Sequence, residues 1–192
     1  MRRRPASRIR RIRCGPAARD LLDMEEGRSG GEPAIGRSRP VDERMSVEME
    51  IRVATAADLP AVLALLKQLD VGKDRDLPLD EAQEIFASLH RYPRYSLYVA
   101  LAQAQIVGTF ALILIDSIAH GGAPHGLVED VVVDPRWRRH GIGKQMMSFA
   151  MQRCREAGCY KMALSSHLSR EKTHQFYESL GFDKHGFSFL VQ

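Results

Sequence analysis

The stretch from residue 127 to 165 constrains the fold most. An apolar run at 127–133 closes on Asp134-Pro135, and an Arg- and Gly-rich turn follows. Apolar residues then recur with helical spacing over 142–157 until Gly158, and a short apolar run occupies 160–165. A strand, a helix and a strand in that order form a crossover, which joins parallel strands. Upstream, two apolar segments at 96–102 and 106–115, rich in β-branched residues, flank a short Gln-Ala-Gln turn, the pattern of an antiparallel hairpin. A chain that carries both connections builds a mixed sheet with helices on its faces, an α/β (α+β) architecture.

The other elements fall around this pair. Residues 49–54 read as a first strand. Thr55 and Asp58 resemble a capping box with Asp in place of Glu. Leu59, Val62, Leu63, Leu65, Leu66 and Leu69 then follow at helical spacing. Residues 71–79 are a charged loop containing Gly72 and Pro78, and Asp80 is placed to cap a second helix reaching Leu89. Residues 120–126 carry Gly121, Gly122 and Pro124 and read as a loop. A last helix is predicted over 170–180, with Gly181 just past its end, and a final strand over 187–191. The order is β-α-α-β-β-β-α-β-α-β.

The chain has 192 residues and a net charge of +4, but that charge is unevenly spread. The first 44 residues hold twelve Arg, no Lys and seven acidic residues, a net of +5, which leaves the remaining 148 at −1. A nucleic-acid binder shows a basic face on its folded domain. Here the excess sits in an arm, so nucleic acid is not expected as the main partner. The arm, 1–48 with its boundary, has no sustained apolar period and reads as disordered. Three readings of it are open: a start assigned upstream of the true Met45 or Met49, an ordinary disordered arm, or a transit peptide, since 1–19 is Arg-rich without an acid. The domain proper is 49–192. Cys14, Cys154 and Cys159 are odd in number and show no zinc-site spacing, which suits a reducing cytoplasm. No apolar run reaches the ~18 residues of a membrane span, so no membrane partner is expected.

The chemistry concentrates in Val128-Glu-Asp-Val-Val-Val-Asp-Pro-Arg-Trp-Arg-Arg-His-Gly-Ile-Gly-Lys144. A helix N-terminus leaves about four backbone N–H groups without intrahelical partners, and its dipole favours an anion. Gly141 and Gly143 let the backbone approach a bulky polyanion. Arg138, Arg139 and Lys144 add positive charge. The turn thus fits a pyrophosphate cradle. It is neither a Walker A loop nor a dinucleotide fingerprint, because position 146 is Met where a third glycine belongs. His120 and His125, with His140, lack the carboxylate or thiolate set of a metal site, and none is expected.

Arg138-Arg-His-Gly-Ile-Gly143 resembles the Arg/Gln-x-x-Gly-x-Gly/Ala signature of GNAT acetyltransferases. Val131-Val-Val-Asp-Pro135 before it and His174-Gln-Phe-Tyr-Glu-Ser-Leu-Gly-Phe182 after it are also similar to that family, and the likeness spans about residues 49–191. The resemblance implies the GNAT fold, a mixed and mostly antiparallel central sheet flanked by helices, and acetyl-CoA as co-substrate. It implies that the pantetheine arm pairs with the backbone of Val131, Val132 and Val133. The pyrophosphate would then rest on the backbone of Arg138, Arg139, His140, Gly141, Ile142, Gly143 and Lys144. Tyr177 falls where the family often places a tyrosine that serves the leaving thiolate. Arg170 departs from the Asn common at its place and is a candidate cofactor contact.

A thioester is attacked by a neutral amine, so a carboxylate must accept a proton, directly or through water. Glu129 and Asp130 lie just upstream of the cofactor stretch. Adjacent strand residues point to opposite faces, so only one readily faces the cleft, and the sequence leaves open which. Strand N–H groups could polarise the thioester oxygen. Gly126-Leu-Val-Glu-Asp-Val-Val-Val133 and Gly158-Cys-Tyr-Lys161 are similar to glucosamine-6-phosphate N-acetyltransferases. Ser169-Arg170, His174-Gln-Phe-Tyr177 and His185-Gly-Phe-Ser-Phe189 are closer to aminoalkylphosphonate N-acetyltransferases. Both groups imply a small anionic amine as acceptor, with Arg170, His167, His174 and His185 as candidate contacts. A peptide or lysine acceptor, and a non-catalytic acyl-CoA sensor, are the rival readings. GNAT folds often dimerise, so a homodimer stays open.

Overall fold

The computed structural model describes residues 48–69 and 76–191. The Arg-rich arm and most of the 71–79 loop lie outside the described residues. Five strands form one sheet in the order β1-β2-β3-β4-β5: β1 (Met49–Val53), β2 (Tyr95–Ala102), β3 (Gln105–Ile115), β4 (His125–Val133) and β5 (Lys161–Leu164). The first three junctions are antiparallel and the last is parallel. This is the mixed sheet that hairpin and crossover together demand. Four helices accompany it: α1 (Leu59–Leu66), α2 (Leu79–Ser88), α3 (Ile142–Glu156) and α4 (Glu171–Glu178).

The two faces of the sheet bury different clusters. On one face Tyr98, Phe110, Leu112 and Val128 meet Ile142, Met146, Met147 and Ala150 of α3. Phe176 and Tyr177 of α4 pack against the same cluster. On the other face Val99 meets Ala54 and Val62, with Leu66, Phe86 and Leu97 around them. The expected capping residues anchor the start of α1. Asp58 accepts from the Thr55 amide at 2.7 Å and from the Thr55 hydroxyl at 2.9 Å, and Arg52 grips both its oxygens at 2.7 and 2.9 Å. The Arg52 contact, more than any other cause, holds the buried Asp58 carboxyl well below the usual carboxylate range.

The predicted final strand at 187–191 is not formed. The segment has no regular structure, and Phe187, Phe189, Leu190 and Val191 are 82–94% exposed. Alternation describes a half-buried strand only when a neighbouring strand supplies the hydrogen bonds. Among the described residues none pairs with this segment. Two smaller corrections concern boundaries. Pro78, not Asp80, precedes the first residue of α2, which leaves Asp80 in the first turn, where a negative charge faces the helix dipole. β4 begins at His125, inside the stretch read as a loop.

Candidate active site

The site is made by the way β4 leaves β5. The two strands pair over only four positions, from His125 opposite Lys161 to Val128 opposite Leu164. Beyond Val128 the β5 side of β4 is without a strand partner, although β3 still pairs with its other side as far as Gly108 opposite Val133. The cause is local. Thr109 lies opposite Val132 and Ala111 opposite Glu129, so β4 spends three steps where β3 spends two. That is a β-bulge, with Asp130 as the inserted residue in the left-handed region at φ 54. A bulge bends and twists its strand, which parts it from β5 and leaves backbone groups of residues 129–133 free to bond a ligand.

The same inserted residue sets the side chains. Paired residues share a face, so Glu129 and Val132 lie on the face of Thr109 and Ala111, which is the α1 side. Val128, opposite Leu112, lies on the α3 side. Glu129 is half-buried, and burial followed by the Asp130 charge pushes its carboxyl up. Asp130 is exposed. Of the two carboxylates, Glu129 is thus the one set into the protein, and Asp130 is the exposed residue at the bulge.

Tyr177 stands on the opposite face. Its ring meets Phe176 with centroids 5.2 Å apart and Phe182 at 5.5 Å, so it belongs to an aromatic cluster. Burial raises its phenol, and the Arg170 charge opposes that shift. The proton therefore stays on the oxygen. Arg170 itself is half-buried just before α4, where its carbonyl accepts from the amides of Thr173 and His174.

The turn before α3 has the shape of an anion cradle. Gly141 takes φ 81 at the helix cap, and no side chain caps α3 there. The first intrahelical bond runs from the Gln145 amide to the Gly141 carbonyl, which leaves the amides of Ile142, Gly143 and Lys144 without helical partners. Ile142 is buried in the core, so only its backbone faces the turn. Arg138, Arg139, His140 and Lys144 are exposed. One expectation changes. A Cβ on Gly143 would lie 3.2 Å from the Phe176 ring, so this glycine makes room for α4 as much as for a ligand. A second detail narrows the pairing expected for Val133, whose carbonyl already accepts from Arg138 Nε at 3.2 Å. Val131 and Val132 are the clearer candidates on this edge. Asp134 accepts from the Arg136 amide at 2.9 Å and pairs with its guanidinium at 2.8 Å, which fixes the exit of β4.

Two of the histidines expected as acceptor contacts make hydrogen bonds within the protein. His167 Nδ1 bonds Ser169 Oγ at 2.8 Å, and His174 Nε2 bonds the His167 carbonyl at 3.0 Å, so both order the 165–170 loop. His185 is exposed in the irregular C-terminal segment. Two residues were missed. Tyr95 lies two positions from Leu97 on the α1-side face, and burial with the Asp130 and Glu129 charges raises its phenol. Ser166, just past β5, has a buried hydroxyl without a partner. Neither belongs to a spacing motif, and only register and burial reveal them. Among the described residues no group of three or more His, Cys, Asp or Glu is arranged to hold a metal, and no helix is long and apolar enough to cross a membrane.

The comparisons agree with this geometry. The model of the Acetyltransferase (GNAT) family matches residues 60–182. The glucosamine 6-phosphate N-acetyltransferase of Trypanosoma brucei brucei is 35% identical over 142 residues, 72% of this chain and 92% of its own length. The aminoalkylphosphonate N-acetyltransferase of Salmonella typhimurium is 29% identical over 73% of this chain and 88% of its own. The aminoglycoside N(6')-acetyltransferase type 1 of Stenotrophomonas maltophilia is 28% identical over 70% of this chain and 86% of its own. A solved putative acetyltransferase from Agrobacterium tumefaciens superposes with a TM-score of 0.70 at 29% identity, covering 74% of this chain and 99% of its own. The fold, the cradle and these relatives together place the chain in the GNAT family of acetyltransferases, as an N-acetyltransferase.

Proposed function

We propose that this enzyme transfers the acetyl group of acetyl-CoA to the primary amine of a small acceptor carrying a phosphate or phosphonate. The reading rests chiefly on one observation: Glu129 follows the last β4–β5 pair on the α1-side face of the sheet, while Tyr177 packs on the opposite, α3-side face. A thioester lying in the gap where β4 leaves β5 is open to an amine from the α1 side while its sulfur faces the α4 side. Glu129 accepts the amine's proton, directly or through water, and Tyr177 returns one to the leaving thiolate. The amides of residues 131–132 polarise the carbonyl, and the turn at 138–144 carries the pyrophosphate. The assignment of residues 49–192 as the catalytic domain belongs to the same proposal.

The acceptor class is supported by kinship. Glucosamine 6-phosphate and aminoalkylphosphonates, named for two of the relatives, share an amine and a phosphoryl-type anion. An aminoglycoside 6'-amine is the second reading, favoured by the third relative. The test is thiol release from acetyl-CoA by the full chain with glucosamine 6-phosphate, aminoalkylphosphonates, aminoglycosides and peptides. Turnover highest with a phosphorylated or phosphonylated amine supports the proposal. Preference for an aminoglycoside or a peptide replaces its acceptor class, and acetyl-CoA binding without turnover on any amine points to a sensor.

The same proposal includes a homodimer and a cytoplasmic setting. Four large apolar residues in the last positions of the chain are exposed, and a second copy would cover them. Cys154 and Cys159 are free thiols, which suits a reducing compartment. Sedimentation of the full chain and of a chain ending at Phe182 tests the first point; a monomer in both discards it.

A further inference from the structure

Most of the polar groups around the gap have a visible task, and Ser166 does not. Its hydroxyl is buried, and no donor or acceptor reaches it. Leaving a buried hydroxyl without a bond costs free energy, so such a group stands out as one awaiting a partner. Its position says which partner. The last pair of the β4–β5 ladder is Val128 with Leu164, and Ser166 is two residues farther along the β5 direction. Extending the parallel register by two carries Ser166 opposite Asp130, the inserted residue of the bulge. Met162 and Leu164 pack on the α3-side cluster with Tyr177, and the second residue beyond Leu164 on an extended chain keeps to that side. The loop that holds it is fixed by the His167, Ser169 and His174 hydrogen bonds. An unpaired hydroxyl therefore flanks the point where the strands part, on the face of the proton donor.

We propose that the Ser166 hydroxyl donates a hydrogen bond to the thioester carbonyl of acetyl-CoA, sharing with the β4 amides the charge that grows on that oxygen as the amine attacks. The bond strengthens as the carbonyl becomes tetrahedral, so its effect falls on turnover as well as on binding. This rests on the acetyl-transfer reading above.

Ser166→Ala in the full chain separates the possibilities. The hydroxyl has no partner in the free protein, so the variant should melt at the same temperature as the parent or higher. Its kcat should fall, and its Kd for acetyl-CoA should rise, each by about five- to tenfold. The Kd for CoA, which lacks the carbonyl, should not change. Ser166→Cys, close in size but a weak donor, should fall between the two. Unchanged kcat, or equal weakening of acetyl-CoA and CoA, overturns the proposal. A parent protein that binds neither ligand overturns the acetyl-transfer reading instead, and the two failures are therefore distinguishable.

Discussion

The two halves of β4 each bury a valine, Val128 in the first and Val132 in the second, and they differ in how they are paired. Residues 125–128 are bonded to β3 on one side and β5 on the other, and Val128 is 1% exposed. Among the described residues, 129–133 have β3 as their one strand partner. One extra residue, Asp130, divides them. A sheet satisfies its own backbone wherever it continues; the second half of β4 is stopped from doing so, and the proposed function uses the groups this leaves to hold the cofactor.

The largest test of that contrast is Glu129→Gln. Under the proposed role of Glu129 as proton acceptor, its loss should lower kcat/KM by about 100- to 1,000-fold. In the parent, burial and Asp130 raise the carboxyl above its ordinary value near 4.5, so the rate should fall as pH drops through that raised value, and the variant should lose this acid limb. Stability moves the other way. A carboxyl raised in the folded state contributes stability below its ordinary value and loses it as pH rises through the raised one. Glu129→Gln should therefore melt slightly higher than the parent at neutral pH, as calorimetry will read.

Tyr177→Phe comes next. Turnover should drop by about 10- to 100-fold, because under the proposed mechanism the thiolate then leaves without a proton donor. Isothermal titration should give an unchanged acetyl-CoA affinity, since the ring stays in its cluster with Phe176 and Phe182. Loss of affinity together with folding would assign the tyrosine to packing alone.

Paired valines sharpen the comparison at lower cost. Val128→Ala, in the closed half, should cost about 2 kcal/mol of stability through the cavity it leaves, with kcat/KM unchanged. Val131→Ala, half-buried in the open half, should cost under about 1 kcal/mol in the same chemical denaturation series. The smallest effect belongs to Asp130→Gly. Glycine takes the left-handed conformation without strain, so the variant should gain about 0.5–1 kcal/mol and keep its turnover. A large loss of rate here would give Asp130 a chemical part of its own.

Much of the scaffold was legible because it follows from periodicity. The hairpin, the crossover helix and the strand before it appear within a residue or two of where apolar spacing put them, and the cradle was marked by its glycines. The bulge was not legible. Its hinge is Asp rather than Gly, and alternation through 126, 128 and 132 hides the inserted residue. Which of Glu129 and Asp130 is set into the protein depends on it. The β2–β3 turn was legible from the strands that flank it rather than from its own residues, since Gln103 and Ala104 both take positive φ, at 49 and 60, where Asn-Gly is the usual signal. Residues 187–191 show the converse error: alternation without an available edge makes no strand. Ser166 and Tyr95 carry no spacing signature at all, because their significance lies in what surrounds them across strands.

The short parallel ladder also orders the events of folding. β2 and β3 are joined by two residues and can zip as soon as both exist, whereas Gly126 must wait for Met162, with all of α3 between them. Contacts distant in sequence close last, since the intervening chain loses its entropy first. On a ribosome the antiparallel part is thus complete while the crossover is still emerging. The gap between β4 and β5 comes into being only when β5 arrives and is held to four pairs, so a chain interrupted before residue 161 would lack it.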